Sequence, residues 1–366
     1  MNKALNIIFA SEPYQLENKL KEKLLMERIC ELEEIHQAHS KNYSKLISAN
    51  LFQSNNKMSK FSHASFLPVQ LFKNNKLMSI ESDKIVKTLT SSGTSGQLVS
   101  KIYLDKETSS LQTKALVKIV KTYLGSKRVP MIILDSKSIF NNPKEYSARA
   151  AGVLGMANFG RDHFYALDEN MKIDTKGLVK WLKKYQGESK FMFGFTFMVW
   201  QYFYKKCIEK EITLDLNDTT LFHSGGWKKL NEQAVSNDKF KSCLNKQFKL
   251  SKIHNFYGMV ESVGSIYIEC EMGFLHSPSF SEVLTRRFTD WSESKIGEEG
   301  IIQIISSLPQ SYPGHSILTE DLGTIYGVDD CKCGRKGKYF NISGRVPDTD
   351  IRGCSDTHSE GLSFDS

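Results

Sequence analysis

The sequence predicts an α/β fold in which helices cover β-sheets, and three observations indicate this class. Short β-type segments such as IVKTLT, KIYL, VPMIILD and FMFGF alternate with helical stretches from Ile85 onward. Glycine-containing turns follow several of these segments, at the strand ends where α/β folds bind ligands. The chain has 366 residues, of which 40% are hydrophobic and 25% are charged, as expected for a folded globular protein.

The elements divide the chain into three predicted parts. Near-helical spacing of apolar residues over 14–38 predicts an amphipathic helix within a helical N-terminal segment, 1–80, packed on the core. The main α/β domain is predicted for 81–345, with helices at 107–124 and 174–186. From Glu320 onward we expect a turn-rich chain, and 346–366 form a short C-terminal tail.

Charge and hydropathy restrict the partners and the location. Lys and Arg (49) exceed Asp and Glu (41) by eight, but the lysines are scattered and no nucleic-acid-binding signature is present. The longest apolar stretch, 191–200, is shorter than the roughly 20 residues of a membrane span, and the N-terminus lacks the apolar core of a secretion signal. Seven cysteines without framework spacing fit a reducing compartment. We therefore expect a cytoplasmic protein with no membrane span and no nucleic-acid partner.

A Ser/Thr/Gly loop follows the first predicted strand of the main domain. Glycines let backbone N–H groups approach an anion closely, and hydroxyl groups donate further hydrogen bonds to phosphate oxygens. A flexible linker is the alternative, but KIYL returns at once to strand character. The candidate phosphate ligands are Ser91, Ser92, Gly93, Thr94, Ser95, Gly96 and, after the loop, Lys101.

Three later motifs are each commonplace when taken singly. The Gly225–Gly226 pair in HSGGWK exposes backbone beside an aromatic residue, although an ordinary tight turn explains it equally well. In YGMVE, the ring of Tyr257 can lie on a base and Glu261 can hold Mg²⁺. Asp321 in TEDLG suits ribose hydroxyls, and Arg345 in SGR can reach ribose or phosphate.

Taken in order, these motifs resemble those of adenylate-forming enzymes. Within that superfamily the chain is most similar, over about 87–356, to the acyl-protein synthetases of the bacterial bioluminescence fatty-acid reductase system, which are related to phenylacetate-CoA ligases. The resemblance implies the superfamily's large domain, with β-sheets flanked by helices and a small distorted β-barrel. It also implies ATP and Mg²⁺ as cofactors. The implied roles are phosphate binding by the loop and Lys101, adenine binding by Gly225, Gly226 and Tyr257, Mg²⁺ binding by Glu261, and ribose contacts by Asp321 and Arg345.

Two positions depart from the pattern of these enzymes. The family often has Thr before the Glu that binds Mg²⁺, where this chain has Val260, so the α-phosphate contact must come from another group. The Gly of T-G-D is Glu320 here, which changes the local geometry.

Only 21 residues follow Arg345 (366 − 345), so we expect most of the family's mobile C-terminal domain, with its catalytic Lys, to be lacking. Lys101, Mg²⁺ and Arg345 would then supply positive charge. In the luminescence synthetases a cysteine near the C-terminus accepts the acyl group, and the matching residue is Cys354. A spectator cysteine on the tail is the alternative.

A second set of residues predicts a structural zinc site. Three thiolates and one imidazole can form a closed tetrahedral Cys₃His set, and similar elements occur in phenylacetate-CoA-ligase-like relatives. Buried thiols without a metal are the alternative. The candidate ligands are Cys270, His276, Cys331 and Cys333.

The aromatic stretch FMFGFTFMVW lies where adenylating folds often line the carboxylate pocket. Core packing explains most of its residues, and Gly194 is the best pocket candidate because glycine leaves room beside a ligand.

Together these features predict a ligase that activates a long-chain fatty acid with ATP. The acyl group would pass through acyl-adenylate to Cys354 and then to an acyl-CoA or acyl-protein reductase partner, which makes the aldehyde. An acyl-transferase partner would supply the fatty acid. The alternatives are a phenylacetate-type CoA ligase and a non-catalytic nucleotide-binding subunit.

Overall fold

The computed structural model describes residues 3–49, 60–91, 98–140, 148–227 and 234–347. The helices in these ranges are α1 (Lys3–Ala10), α2 (Asn18–His39), α3 (Lys41–Ser48), α4 (Leu71–Asn74), α5 (Lys106–Leu124), α6 (Ala148–Ala157), α7 (Thr175–Lys184), α8 (Thr196–Met198), α9 (Lys205–Glu209) and α10 (Asn237–Phe248). The strands are β1 (Leu67–Pro68), β2 (Lys87–Thr90), β3 (Lys101–Leu104), β4 (Val129–Ile133), β5 (Gly160–Tyr165), β6 (Lys190–Phe195), β7 (Thr219–Ser224), β8 (Lys252–Tyr257), β9 (Tyr267–Glu269), β10 (Leu275–His276), β11 (Ser281–Arg286), β12 (Glu299–Ser306), β13 (Ser316–Val328) and β14 (Lys338–Arg345).

The first of two compact units comprises the described residues of 1–91, 98–122 and 257–350. Its antiparallel strands follow the order β11-β12-β13-β14-β10-β9, β1 pairs in parallel with β13, and β2 pairs with β3 in a separate sheet. A core of side chains that are at most 1% exposed includes Tyr43, Leu67, Phe72, Tyr312 and Ile317. This core holds β1 beside β13, the strand that carries the TED motif.

The second unit comprises the described residues of 123–256 and is built on the parallel strands β8-β7-β6-β4-β5. All six residues of β6 are buried, and Phe193 lies opposite Ile133 on one side and Phe222 on the other. Strands covered on both faces read as continuous apolar runs, as FMFGF does. Helix α6 contacts β5 and β6. The prediction of an α/β fold is confirmed.

The two helices predicted for the main domain begin and end within two residues of the observed α5 and α7. Each has an aspartate at its N-terminus that accepts a hydrogen bond from a backbone N–H of the first turn. Asp105 Oδ1 lies 2.7 Å from the Thr108 nitrogen, and Asp174 Oδ1 lies 2.9 Å from the Gly177 nitrogen. These contacts satisfy N–H groups that have no partner within the helix.

The expectation of a turn-rich chain from Glu320 onward is wrong, because β13 continues to Val328 and β14 follows it. Gly323 and Gly327 lie inside β13, at the points where its register with β14 shifts. A Cβ atom on Gly323 would collide with the carbonyl oxygen of Asn341. Glycine therefore marks bulges and a close strand approach here.

Helix α2 presents a buried face that is partly polar. Leu20 is 47% exposed, whereas Lys21, Arg28 and His36 are buried. The Nζ of Lys21 lies 3.3 Å from Glu282 Oε2, and both side chains are inaccessible to solvent. Buried charges of this kind are tolerated because each has a polar partner.

No helix in the described part of the chain is long and apolar enough to cross a membrane. The two compact units do not divide the chain at residues 80 and 345, because the first unit combines N-terminal and C-terminal segments. The three parts named from the sequence remain a prediction.

A histidine buried against α2 predicts a pH dependence of stability. His36 Nδ1 lies 2.7 Å from Ser79 Oγ and Nε2 lies 3.1 Å from the Pro309 oxygen. Burial, followed by the neighbouring His315, lowers the pKa of His36 well below 6.5, so only the unfolded state takes up a proton as the pH falls through 6.5. We expect this residue to remove about 1 kcal/mol of unfolding free energy between pH 7 and 5.5.

Urea unfolding of His36→Gln should show a correspondingly weaker loss of stability over that pH range. His39→Gln is the matched control, because His39 is exposed and its ring hydrogen-bonds to the Ile35 carbonyl of its own helix. Equal pH dependence of wild type and His36→Gln would contradict the prediction.

Candidate functional site

Three of the residues predicted to bind the nucleotide lie together in the first unit. The Tyr257 hydroxyl donates a hydrogen bond of 2.6 Å to Asp321 Oδ2, and Arg345 Nε lies 3.3 Å from Asp321 Oδ1. The Asp321 carboxylate is therefore held by a neutral donor on one side and by a cation on the other. The structure brings together side chains that the sequence separates by up to 88 positions (345 − 257).

Strand pairing produces this arrangement. Asp321 on β13 lies directly opposite Arg345 on β14. Thr319 Oγ1 accepts a hydrogen bond from the Asp321 nitrogen at 3.1 Å and donates one to the Ile302 oxygen at 2.8 Å. The motif therefore contributes a threonine that fixes the backbone and an aspartate that faces Arg345.

The electrostatics of Tyr257 favour its role as a donor. Desolvation, followed by the charge of Asp321, raises the pKa of Tyr257 well above its ordinary value. The hydroxyl therefore stays protonated and orients the Asp321 carboxylate without competing for negative charge.

Glu261, the predicted Mg²⁺ ligand, lies in a 3₁₀ turn, Val260–Ser262, shortly after β8. Burial raises the pKa of Glu261. Its backbone oxygen accepts a hydrogen bond of 3.0 Å from the Tyr312 hydroxyl, which in turn accepts one of 3.3 Å from Gln112 Nε2. A buried carboxylate whose charge is disfavoured by burial suits a site that receives a cation.

The Ser/Thr/Gly loop joins two paired strands. Thr90 lies opposite Lys101 in the β2–β3 pair, and the Ser100 nitrogen donates a 2.9 Å hydrogen bond to Ser91 Oγ. The sequence predicted strands on both sides of this segment, which favoured a phosphate-binding loop over a flexible linker. The strands β2 and β3 confirm that prediction. The loop residues Ser92, Gly93, Thr94, Ser95 and Gly96 lie outside the described residues, as does Cys354.

The residues predicted for adenine and for the acyl-chain pocket that remain, Gly225, Gly226 and Gly194, belong to the second unit. Gly225 follows β7 with a φ of +84°, which glycine adopts without strain, and Gly226 comes next. Gly194 lies inside β6, and a Cβ atom there would be 2.8 Å from the Leu134 Cβ and 3.0 Å from Val199 Cγ2. Neighbouring side chains thus fill the space beside Gly194, and its role in a substrate pocket stays a prediction.

The four candidate zinc ligands form a compact cluster. Their ligand atoms all lie within 4.8 Å of one another. Cys270 Sγ is 4.0 Å from Cys331 Sγ, and Cys333 Sγ is 3.3 Å from His276 Nε2. Two sulfurs bound tetrahedrally at about 2.3 Å from zinc would be about 3.8 Å apart, so this donor set fits the ion.

Two β-turns present the three cysteines, and strand β10 presents His276. Cys270 precedes Gly273 (φ +83°), whose nitrogen donates to the Cys270 oxygen at 3.0 Å. Gly334 (φ +82°) donates likewise to the Cys331 oxygen at 2.9 Å. Burial lowers the pKa of His276 to about 4, which keeps the imidazole neutral and able to act as a ligand.

The sequence did not point to the polar residues that support these sites. Tyr312, which holds the Glu261 backbone, lies in the segment QSYPGH, and nothing in its spacing indicates a partner. The imidazole of His223, beside the Gly225 turn, lies 3.0 Å from Thr196 Oγ1. The contacts of Tyr312 and His223 each join segments that are distant in the sequence. Such contacts produce no periodic pattern of residues that a sequence analysis could detect.

The profile of the family "Acyl-protein synthetase, LuxE" matches residues 2–363. The chain belongs to this family. The chain is therefore a ligase, as the order of its motifs implied. No curated protein matches the sequence.

Solved structures with a similar fold include two of 2-hydroxyisobutyryl-CoA ligase. The open conformation, in complex with 2-HIB-AMP and CoA, has a TM-score of 0.69 at 15% identity and covers 93% of this chain and 78% of that chain. The post-adenylation state with 2-HIB-AMP has a TM-score of 0.71 at 14% identity, over 93% and 71%. The LuxE-family chain thus has the fold of adenylate-forming ligases.

The turn after Glu261 predicts the cost of one substitution. Gly264 has a φ of +90°, and a Cβ atom there would lie 2.6 Å from the Gln112 Cα on α5. We expect Gly264→Ala to lower the unfolding free energy by about 2 kcal/mol or more, because backbone strain and a steric clash add.

Urea unfolding measures this effect. The matched control is Gly155→Ala on α6, where no atom lies within 4 Å of the added Cβ, so that variant should be neutral or slightly stabilising. If Gly264→Ala is as stable as wild type, the close approach to α5 does not constrain this turn.

Proposed function

We propose that this chain activates a long-chain fatty acid with ATP, transfers the acyl group to its own Cys354 and passes it to a partner reductase. The observation that carries the proposal is the match of the acyl-protein synthetase family over residues 2–363. The Tyr257–Asp321–Arg345 contacts support it, because the resemblance assigns these residues to the nucleotide.

In the first step a carboxylate oxygen of the fatty acid attacks the α-phosphorus of ATP, and the bond to the β-phosphate oxygen breaks. Asp321 accepts hydrogen bonds from the ribose hydroxyls, and Tyr257 holds that carboxylate in place. Lys101 and the hydroxyl groups of the loop that begins at Ser91 hold the β- and γ-phosphates as pyrophosphate leaves. Positioning and charge neutralisation supply most of the rate enhancement in such displacements. Glu261 would hold Mg²⁺, which neutralises phosphate charge when bound.

In the second step the Cys354 thiolate attacks the acyl carbonyl, and AMP leaves with the electrons of the mixed-anhydride bond. Thiolate is a strong nucleophile, and Arg352 and His358 nearby in the sequence favour its ionisation. The thioester would then pass to an acyl-protein reductase, which makes the aldehyde in a luminescence system. An acyl-transferase would supply the fatty acid.

The cysteine–histidine cluster has a separate, structural role in this proposal. All four positions around a tetrahedral ion are taken by Cys270, His276, Cys331 and Cys333, so no position stays open for catalysis. Zinc there would join the turn after β9 to the turn between β13 and β14.

Self-acylation is tested by intact-mass spectrometry after incubation with ATP, Mg²⁺ and tetradecanoic acid. We expect the mass of one acyl group on the protein, removed by neutral hydroxylamine as a thioester is. Cys354→Ser should abolish the hydroxylamine-sensitive label while retaining carboxylate-dependent ATP–pyrophosphate exchange. Cys243→Ser, which removes a partly exposed thiol of α10, is the control and should label normally.

Each rival gives a different result in the same experiment. Acyl-CoA that accumulates on addition of CoA, without labelled protein, would indicate a CoA ligase. Absence of carboxylate-dependent exchange would indicate a non-catalytic subunit. A thioester label that survives Cys354→Ser would place the acyl acceptor elsewhere.

Metal analysis tests the zinc proposal. We expect about one equivalent of zinc in gently purified protein and a marked loss in Cys331→Ser, because serine is a poor ligand for zinc. Strong chelators should lower the melting temperature of wild type, since metal binding and folding are coupled. Cys30→Ser, whose thiol lies on α2, should keep its zinc. Less than half an equivalent in wild type would contradict the proposal.

A further inference from the structure

Glu320 occupies the position where the resemblance predicts glycine, and its carboxylate makes two contacts that glycine could not make. Glu320 Oε1 accepts a hydrogen bond of 2.5 Å from Gln70 Nε2, and Glu320 Oε2 lies 4.0 Å from Arg345 Nη2. The Glu320 side chain is only 12% exposed. Its backbone oxygen also accepts a 2.9 Å hydrogen bond from the Val346 nitrogen, just after β14.

Gln70 is placed at this position by strand pairing of the N-terminal segment. Leu67 and Pro68 of β1 lie opposite Ile317 and Leu318 of β13. The Val69 nitrogen continues the pairing with a 2.9 Å hydrogen bond to the Leu318 oxygen. The pairing ends at Pro68 and Leu318, so Gln70 and Glu320, each two residues further along its segment, come to lie beside each other.

The result is a continuous set of contacts that ends at the candidate ribose ligands. Gln70 holds Glu320, and the Arg345 guanidinium lies near both Glu320 and Asp321. Two adjacent carboxylates, one of them fixed by an amide, restrict the orientation of a guanidinium more than one carboxylate does. Partly exposed ion pairs contribute little to stability, so the consequence of this arrangement is geometric.

We propose that Gln70 and Glu320 are positioning residues that orient Arg345 and Asp321 toward the ribose of the nucleotide, and so set the preference for a nucleotide with both ribose hydroxyls. This inference rests on the nucleotide-binding part of the proposed function. It assigns a role in the nucleotide site to the N-terminal segment.

Isothermal titration with ATP and with 2′,3′-dideoxy-ATP tests the inference. Wild type should bind ATP more tightly than the dideoxy analogue. Gln70→Leu and Glu320→Gly should each weaken ATP binding about fivefold while changing the affinity for the analogue less than about twofold, the effect of one misplaced hydrogen-bonding group. Glu320→Gln, which keeps an acceptor oxygen for Gln70, should recover part of the preference.

Glu299→Gln is the matched control, because Glu299 on β12 contacts Ser343, which lies on β14 together with Arg345. It should leave both affinities unchanged. Unchanged ATP affinity in Gln70→Leu and Glu320→Gly would overturn the inference. Equal losses for both nucleotides would also overturn it, because they indicate a general structural role.

The binding measurement separates this inference from the proposed reaction. If wild type fails to acylate itself but still prefers ATP over the dideoxy analogue, the reaction is wrong and the variants still decide the positioning role. If wild type does not distinguish the two nucleotides, the ribose assignment and the inference both fail.

Discussion

The pairing of β13 with β14 determines the geometry of both candidate sites. Asp321 and Arg345 lie opposite each other at the open end of this hairpin, and Cys331 and Cys333 lie in the turn that connects the strands. At roughly 3.3 Å per residue, the two ends are about 20 Å apart. Because side chains alternate between faces, a slip of one residue would turn Asp321 away from Arg345. Whatever fixes the register at the turn therefore also fixes the candidate ribose ligands.

The turn end of the hairpin is held by side chains as well as by the cluster. Asp329 accepts hydrogen bonds from the Gly337 nitrogen at 2.7 Å and from the Asn18 nitrogen at 2.8 Å, where α2 begins. One carboxylate thus closes the turn and satisfies a backbone donor of a helix N-terminus, where negative charge is favourable. Zinc bound at the cluster would further restrain a turn that already has a defined conformation. Its main effect would therefore be to raise the free energy of unfolding.

The parts of this molecule that the sequence predicted are those that depend on residues close together along the chain. Strands β4, β6, β7 and β8, helices α5 and α7, and the four cysteine–histidine ligands all follow from apolar runs, helical stretches or uncommon residue types. The expectation of turns from Glu320 onward failed, since this segment forms β13 and β14, and Gly323 and Gly327 mark bulges within β13. Contacts between distant segments left no signal: Gln70 and Glu320 are separated by 250 positions, and only the parallel pairing of β1 with β13 brings them together.

The carboxylates beside Arg345 affect whether its guanidinium can neutralise phosphate charge in the proposed reaction. Arg345 lies 3.3 Å from one carboxylate and 4.0 Å from another, so most of its charge is compensated by Asp321 and Glu320. A guanidinium in this state is better suited to orienting ribose ligands than to neutralising an anion that develops at the α-phosphate. In the proposed reaction, Lys101 and a cation held by Glu261 would then provide the neutralisation, and the burial of Glu261 favours a counter-charge beside it. The proposed nucleotide site would therefore separate its tasks by strand: β13 and β14 would orient the ribose, while β3 and the turn after β8 would provide for the phosphates.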